Sequence, residues 1–173
     1  MMDKEQTCQF LRDMGIEFER VDHPAVCNMA ETAELALPHP EAEAKNLFLR
    51  DDRREHFFLL TVRGDRRVDL KEFRRARQTR PLRFTSEEEL SRLLGLVPGA
   101  VTPLGVLNDE ARRVKVFLDR AFAGGLVGVH PNDNTAALWL RAEDLRQHRT
   151  IRRRVGLCLF RHLRHADSSI TLQ

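Results

Sequence analysis

Apolar positions change their period several times along the chain, and each change marks an element. Phe10, Leu11 and Met14 fall on one helical stripe and Gly15 follows as a stop, so residues 3 to 14 are expected to form a helix. Ile16, Phe18 and Val21 are interleaved with Glu17, Glu19 and Arg20, which reads as a strand. His23-Pro24 ends it, because the residue before proline is pushed out of the helical region. Residues 30 to 37 read as a second helix closed by Pro38. Pro40 then opens a short helix ending near Lys45, which places Lys45 at a helix C-terminus.

Two apolar runs, residues 47 to 49 and 57 to 62, flank the polar turn Asp51-Asp52-Arg53-Arg54, a hairpin pattern. Asp69 is placed to cap a helix reaching Gln78, and Ser86 with Glu89 forms a capping box for a helix stopping at Gly95. Residues 104 to 107, 114 to 118, 126 to 129 and 136 to 140 read as four further strands, and 142 to 149 as a closing helix. There is no internal repeat and no low-complexity linker. The pattern predicts an α/β domain over residues 1 to 150, a mixed sheet flanked by helices, followed by an arginine-rich extension over 151 to 173.

Composition narrows the function classes. With 42% hydrophobic residues in 173, one core of ordinary size is expected. Asp3, Lys4 and Glu5 stand where a signal peptide carries apolar residues, and no run approaches the ~20 apolar residues of a membrane span, so a soluble, cytoplasmic protein is expected, with no membrane partner. Cys8, Cys27 and Cys158 are widely spaced and read as free thiols. His162 and His165 share a spacing that suits one helix face but lack a third ligand, so no metal site is expected. Phosphate-binding glycine motifs and the G-x-S-x-G elbow are absent, which leaves no cofactor and no serine or cysteine nucleophile in view. Net charge is +3, and arginines gather after residue 140 against only Glu143, Asp144 and Asp167, a pattern suited to phosphate contacts.

Three segments carry candidate chemistry, each with a bland reading beside it. Lys45, followed by Asn46 and an apolar strand, could simply answer a helix dipole, or could face a cleft and polarise a carbonyl. The loop Gly99-Ala100-Val101-Thr102-Pro103 could be punctuation, or a fixed set of N–H donors for a developing oxyanion, with Gly99 allowing close approach and Pro98 and Pro103 stiffening it. His130-Pro131 could be a turn, or could set an imidazole at a pocket mouth.

The segments HPAV at 23, KNLFLRD at 45, VDLK at 68, LRFTSEEEL at 82, LGLVPGAVTPLGVLND at 94, VFLD at 116 and HPNDNTAALWL at 130, in this order, resemble the YbaK/prolyl-tRNA synthetase-associated domain over roughly residues 1 to 149. They are most similar to its freestanding members that hydrolyse alanyl-tRNA(Pro). The resemblance implies a compact α/β fold with a mixed, mainly antiparallel sheet and a trans-editing aminoacyl-tRNA deacylase acting on tRNA(Pro). It further implies Lys45 as the catalytic lysine, Gly99, Ala100, Val101, Thr102 and Pro103 as the loop receiving the tRNA 3′ end, and Asn46 and His130 as further pocket residues. Prolyl-tRNA synthetase is an implied partner. Other readings stand beside it: a deacylase for cysteinyl, seryl or threonyl esters, a non-catalytic nucleic-acid-binding protein, or a regulator of a synthetase. The extension after residue 150 departs from the family pattern.

Overall fold

A long β-hairpin organises the chain. In the computed structural model, which describes residues 1–25 and 29–147 and the backbone of 158–160, strands β2 (Ala44–Asp51) and β3 (Phe57–Arg63) pair antiparallel, with Ala44 opposite Arg63 and Arg50 opposite Phe57. The turn between them is closed by Asp51, whose carboxylate accepts from Glu55 N (2.9 Å) and meets His56 Nδ1 (2.9 Å). Strand β4 (Leu82–Phe84) adds antiparallel to β2. Strand β5 (Val114–Asp119) adds parallel to β3, and the backbone strand β8 (Cys158–Phe160) adds parallel to β5. A parallel neighbour requires a long crossover. It is supplied by α3 (Leu70–Arg77), β4 and α4 (Glu87–Leu94). A second, three-stranded antiparallel sheet sets β7 (Ala136–Arg141) between β1 (Phe18–Asp22) and β6 (Leu126–Val129).

Strand alternation divides the side chains between layers. Phe48, Phe57, Leu59, Val116 and Leu118 face the main core, which they share with Val127, Val129, Leu138 and Leu140 of the smaller sheet, with Leu11 of α1 (Lys4–Asp13), and with Leu90, Leu93 and Leu94 of α4. Leu49, Phe58, Leu60, Val62 and Phe117 face the other way, under Phe73 of α3. The outer face of the smaller sheet carries Ala137 and Trp139 against Ala42, with Leu37 at the edge. This last layer holds the cavity described below. Helix α2 (Met29–Glu34) precedes it, and α5 (Ala142–Gln147) follows β7.

Most expected elements are present, including the Asp69 cap of α3, the Ser86/Glu89 capping box of α4 and the stop at Gly95. Three readings are corrected. The short helix after Pro40 is only a 3₁₀ turn, Pro40–Ala42; Glu43 is already extended (φ −59°, ψ 130°), so Lys45 is the second residue of β2 and not a helix C-terminus. Residues expected as a strand at 104 to 107 form the 3₁₀ helix Pro103–Asn108, because Pro103 starts it and the Thr102 hydroxyl accepts from Leu104 N. The buried Gly105 permits this packing, since a Cβ there would lie 2.7 Å from Leu96 Cδ1. The expected single sheet is two sheets. Residues 148 and 149 of the closing helix, His162, His165 and most of the extension lie outside the described residues. Cys8 is free and buried, its thiol pushed up in pKa by burial; Cys27 lies outside the described residues, as does the side chain of Cys158.

One polar cluster ties the hairpin to α4. Glu89 is 5% exposed; its carboxylate accepts from Ser86 N (2.9 Å) and from Arg50 Nε (3.1 Å). Burial pushes its pKa up, but those donors outweigh burial and hold it below the ordinary value. A depressed carboxylate contributes stability that is present above the unfolded pKa and lost as pH falls. Glu89→Gln is therefore expected to cost about 2 kcal/mol at neutral pH. In urea titrations it should also show a flatter loss of stability below about pH 4.5 than the wild type.

Candidate functional site

A cavity of about 260 Å³ opens between the outer face of the smaller sheet and the segment that leads into β2. Gly128, His130, Ala137 and Trp139 line it from β6 and β7; Ala36, Leu37, Pro38, His39 and Pro40 cover it; Glu43, Ala44 and Asn46 close one end. Ala36, Pro38, Pro40, Ala44, Gly128 and Ala137 give short or rigid stretches of wall, and Leu37, Val129 and the Trp139 indole supply larger apolar surface. Gly128 leaves little room for a side chain, since a Cβ there would meet Ala42 O and Trp139 Nε1, each at 3.2 Å, and one of them would have to give way.

Asn46 is fixed at both ends of its amide. Its Nδ2 donates to Val101 O (2.8 Å), and its Oδ1 accepts from Thr61 Oγ1 (2.7 Å), the residue opposite it on β3. The first bond fastens the 99–103 loop to the strand that enters the cavity. Within that loop Gly99 takes φ +84°, a conformation that glycine adopts without steric cost, and Ala100 N donates to Val97 O (3.0 Å). Among the described residues the amides of Gly99, Val101 and Thr102 donate no hydrogen bond. Ala100, Thr102 and Pro103 are buried and anchor the loop. None of the five loop residues lines the cavity itself, which they reach through Asn46.

His130 continues β6 into the Pro131 turn. Its Nδ1 faces Ala136 O (3.0 Å), so it carries the proton there and Nε2 is left with a lone pair. Burial lowers its pKa, opposed by the bond to Ala136 and helped by the nearby His23 ring, whose centroid is 6.4 Å away. The following turn is held by Asn132, in a left-handed conformation (φ 61°), whose Nδ2 donates to Thr7 Oγ1 (3.1 Å) and Met2 O (3.2 Å).

Lys45 is half-buried and does not line the cavity. It stands opposite Val62, so alternation sends it to the α3 side of the sheet while Ala44 and Asn46 take the cavity side. Burial lowers its pKa, Asp65 raises it and Arg67 lowers it; among the described residues it makes no hydrogen bond or ion pair. The structure thus brings Asn46 and His130 together, ties the Gly99 to Pro103 loop to them, and sets Lys45 one residue away on the reverse face.

His39 and Trp139 were not singled out by sequence. His39 is left-handed (φ 56°) between two prolines; its Nε2 meets Glu19 Oε2 (2.7 Å) and its ring lies 5.9 Å from the Trp139 indole. The bond to Glu19 raises its pKa. The only signal was the Pro38-His39-Pro40 triplet, which reads equally as punctuation between helices. Asp51, Glu55 and His56 bring three metal-competent atoms within 4.8 Å, but the Asp51 carboxylate already closes the β2 turn. Among the described residues no helix is long and apolar enough to cross a membrane.

The two histidines are expected to titrate in opposite directions. In a proton NMR titration His130 should protonate below about pH 6.5 and His39 above it. Stability from neutral His130 is then present above the ordinary histidine pKa and lost as pH falls, whereas the His39–Glu19 contact is lost as pH rises through the raised value. Glu19→Gln should return only the His39 midpoint toward the ordinary value.

A family model described as an aminoacyl-tRNA editing domain matches residues 23–148. The chain is 37% identical over 136 residues to the prolyl-tRNA editing protein ProX of Acetoanaerobium sticklandii, covering 78% of this chain and 83% of that one. It is 35% identical over 147 residues to prolyl-tRNA synthetase associated domain-containing protein 1 of Bos taurus, covering 79% and 82%. Its fold superposes with TM-score 0.68 on a crystal structure described as a candidate trans-editing enzyme for prolyl tRNA synthetase, at 21% identity over 92% of this chain and 97% of that one.

Proposed function

The chain belongs to the aminoacyl-tRNA editing domain family, and from that premise we propose that it is a trans-acting deacylase that hydrolyses the ester of alanine mischarged onto tRNA(Pro). The observation that carries the reading is the joining of Asn46 and His130, from distant parts of the chain, in one small apolar-walled cavity tied to the 99–103 loop.

An aminoacyl ester is already activated, so its hydrolysis needs a held carbonyl, a held water and charge stabilisation rather than a protein nucleophile. The unengaged amides of Gly99 and Val101, the partly exposed residues of the loop, are the donors available to the developing oxyanion, and the Asn46 bond to Val101 O keeps the loop from drifting. Neutral His130, with Nδ1 committed to Ala136 O, offers Nε2 as an acceptor for a hydroxyl or water at the cavity end. Lys45, one residue from Asn46 and partly desolvated, supplies a cation where the negatively charged 3′ end of the RNA arrives. With these apolar walls, the cavity selects by shape, in the manner of a sieve that admits a small acyl group. The partner is aminoacyl-tRNA(Pro), with prolyl-tRNA synthetase as the upstream source of the error, and the setting is the cytoplasm.

Incubation with alanyl-tRNA(Pro) and prolyl-tRNA(Pro) separately tests this. The alanyl ester should be lost and the prolyl ester retained. Lys45→Ala should slow the reaction at sub-saturating tRNA by about 10-fold or more, read as the loss of kcat/KM against wild type. Retention of both esters by the wild type overturns the alanyl assignment; seryl, cysteinyl and threonyl esters then decide whether another small residue is the substrate.

A further inference from the structure

Away from the cavity, charge is concentrated in one stretch. Residues 63–83 carry nine Lys and Arg against three Asp and Glu, which leaves the rest of a +3 chain at net −3. Most acids in the stretch are committed. Asp69 caps α3 through Lys71 N and Glu72 N, and Asp65 pairs with Arg63 at 2.6 Å. Several cations are committed as well: Arg80 to Asp52 (2.6 Å), Arg66 to Asp119 (3.6 Å), and Arg77 over the Phe117 ring at 5.1 Å.

Three of the other cations form a stripe on α3. Lys71, Arg74 and Arg75 stand at i, i+3 and i+4 of α3, all exposed, on the side opposite Phe73, which packs into the sheet. Among the described residues Lys71 and Arg74 have no ion-pair partner, and Arg75 has only a 4.0 Å contact with Glu72. Side chains at this spacing lie about 5 to 6 Å apart at Cβ, so their charges form one continuous cationic strip. Helix α3 covers the face of the five-stranded sheet on which Lys45 also lies.

We propose that the Lys71, Arg74 and Arg75 face of α3 docks the sugar-phosphate backbone of the double-helical arm of the substrate tRNA. This inference rests on the deacylase reading above. The contacts are sequence-independent: they hold the duplex along α3 while its single-stranded end passes Lys45 toward the cavity, and they contribute affinity and salt dependence rather than base recognition.

The test uses the full chain with Lys71→Gln, Arg74→Gln and Arg75→Gln combined. A control replaces Arg12, Arg92 and Arg112, on α1, on α4 and in the turn before β5, by Gln. Melting temperatures check folding, and binding of uncharged tRNA(Pro) is measured across 50 to 200 mM salt. The α3 variant should bind roughly 10-fold or more weakly at 100 mM salt, with a log–log salt slope shallower by roughly 2 to 3. The control should stay near wild type. Wild-type affinity and slope in the α3 variant, or an equal loss in the control, overturns the docking face. If that happens while wild-type protein still hydrolyses alanyl-tRNA(Pro), the deacylase reading stands and only the docking face falls; absence of both hydrolysis and tRNA binding in the wild type removes both.

Discussion

The side-chain amide of Asn46 spans two parts of the molecule that the backbone does not join. One end is held by the Thr61 hydroxyl across the β2–β3 hairpin, and the other holds Val101 O of the glycine-proline loop. Asparagine suits this place because one group must both accept and donate. An aspartate would repel the carbonyl of Val101, and a leucine would leave that carbonyl and the Thr61 hydroxyl unpaired in a part-buried setting. The cavity end, the free amides of the loop and the entry of β2 all take their relative positions from this bracket.

Strand β2 also sets two adjacent residues in different surroundings. Alternation gives Asn46 to the cavity and Lys45 to the α3 face, so the strand is a boundary between an apolar-walled chamber and a cationic exterior. A substrate that is polyanionic except for a small acyl group has the same division. The large charged part belongs outside, where solvent-exposed arginines attract it at low desolvation cost, and the small neutral part belongs inside, where shape can discriminate. The smaller sheet completes the chamber from behind by presenting Gly128, Ala137 and Trp139 on its outer face.

Much of this was legible in the sequence because it rests on local rules. The Asp69 cap, the Ser86/Glu89 capping box, the β2–β3 hairpin and the strands at 114, 126 and 136 follow from cap chemistry and alternation alone. What failed was non-local. Pro40 can open a helix or a single 3₁₀ turn, and the hairpin pairing of Ala44 with Arg63 decided for the turn. Leu104 to Leu107 carry a strand-like apolar run, yet the Thr102 cap and the close contact of Gly105 with Leu96 made it 3₁₀. Asn46 and His130 were recognisable as site candidates, whereas Trp139 and His39 were not, because their place in the cavity depends on how the outer sheet face meets the 36–44 segment. The basic stripe on α3 was hidden by counting charge over the whole chain rather than by face.

The bracket is tested most directly by a double-mutant cycle on alanyl-tRNA(Pro) deacylation with Asn46→Ala, Thr61→Val and the two combined. Thr61 touches Asn46 and not the cavity, so its loss should slow turnover about 10-fold through Asn46 alone, and the double variant should be no slower than Asn46→Ala. Multiplicative losses, or a Thr61→Val protein with wild-type turnover, would show that Asn46 does not act through this hydrogen-bonded bridge.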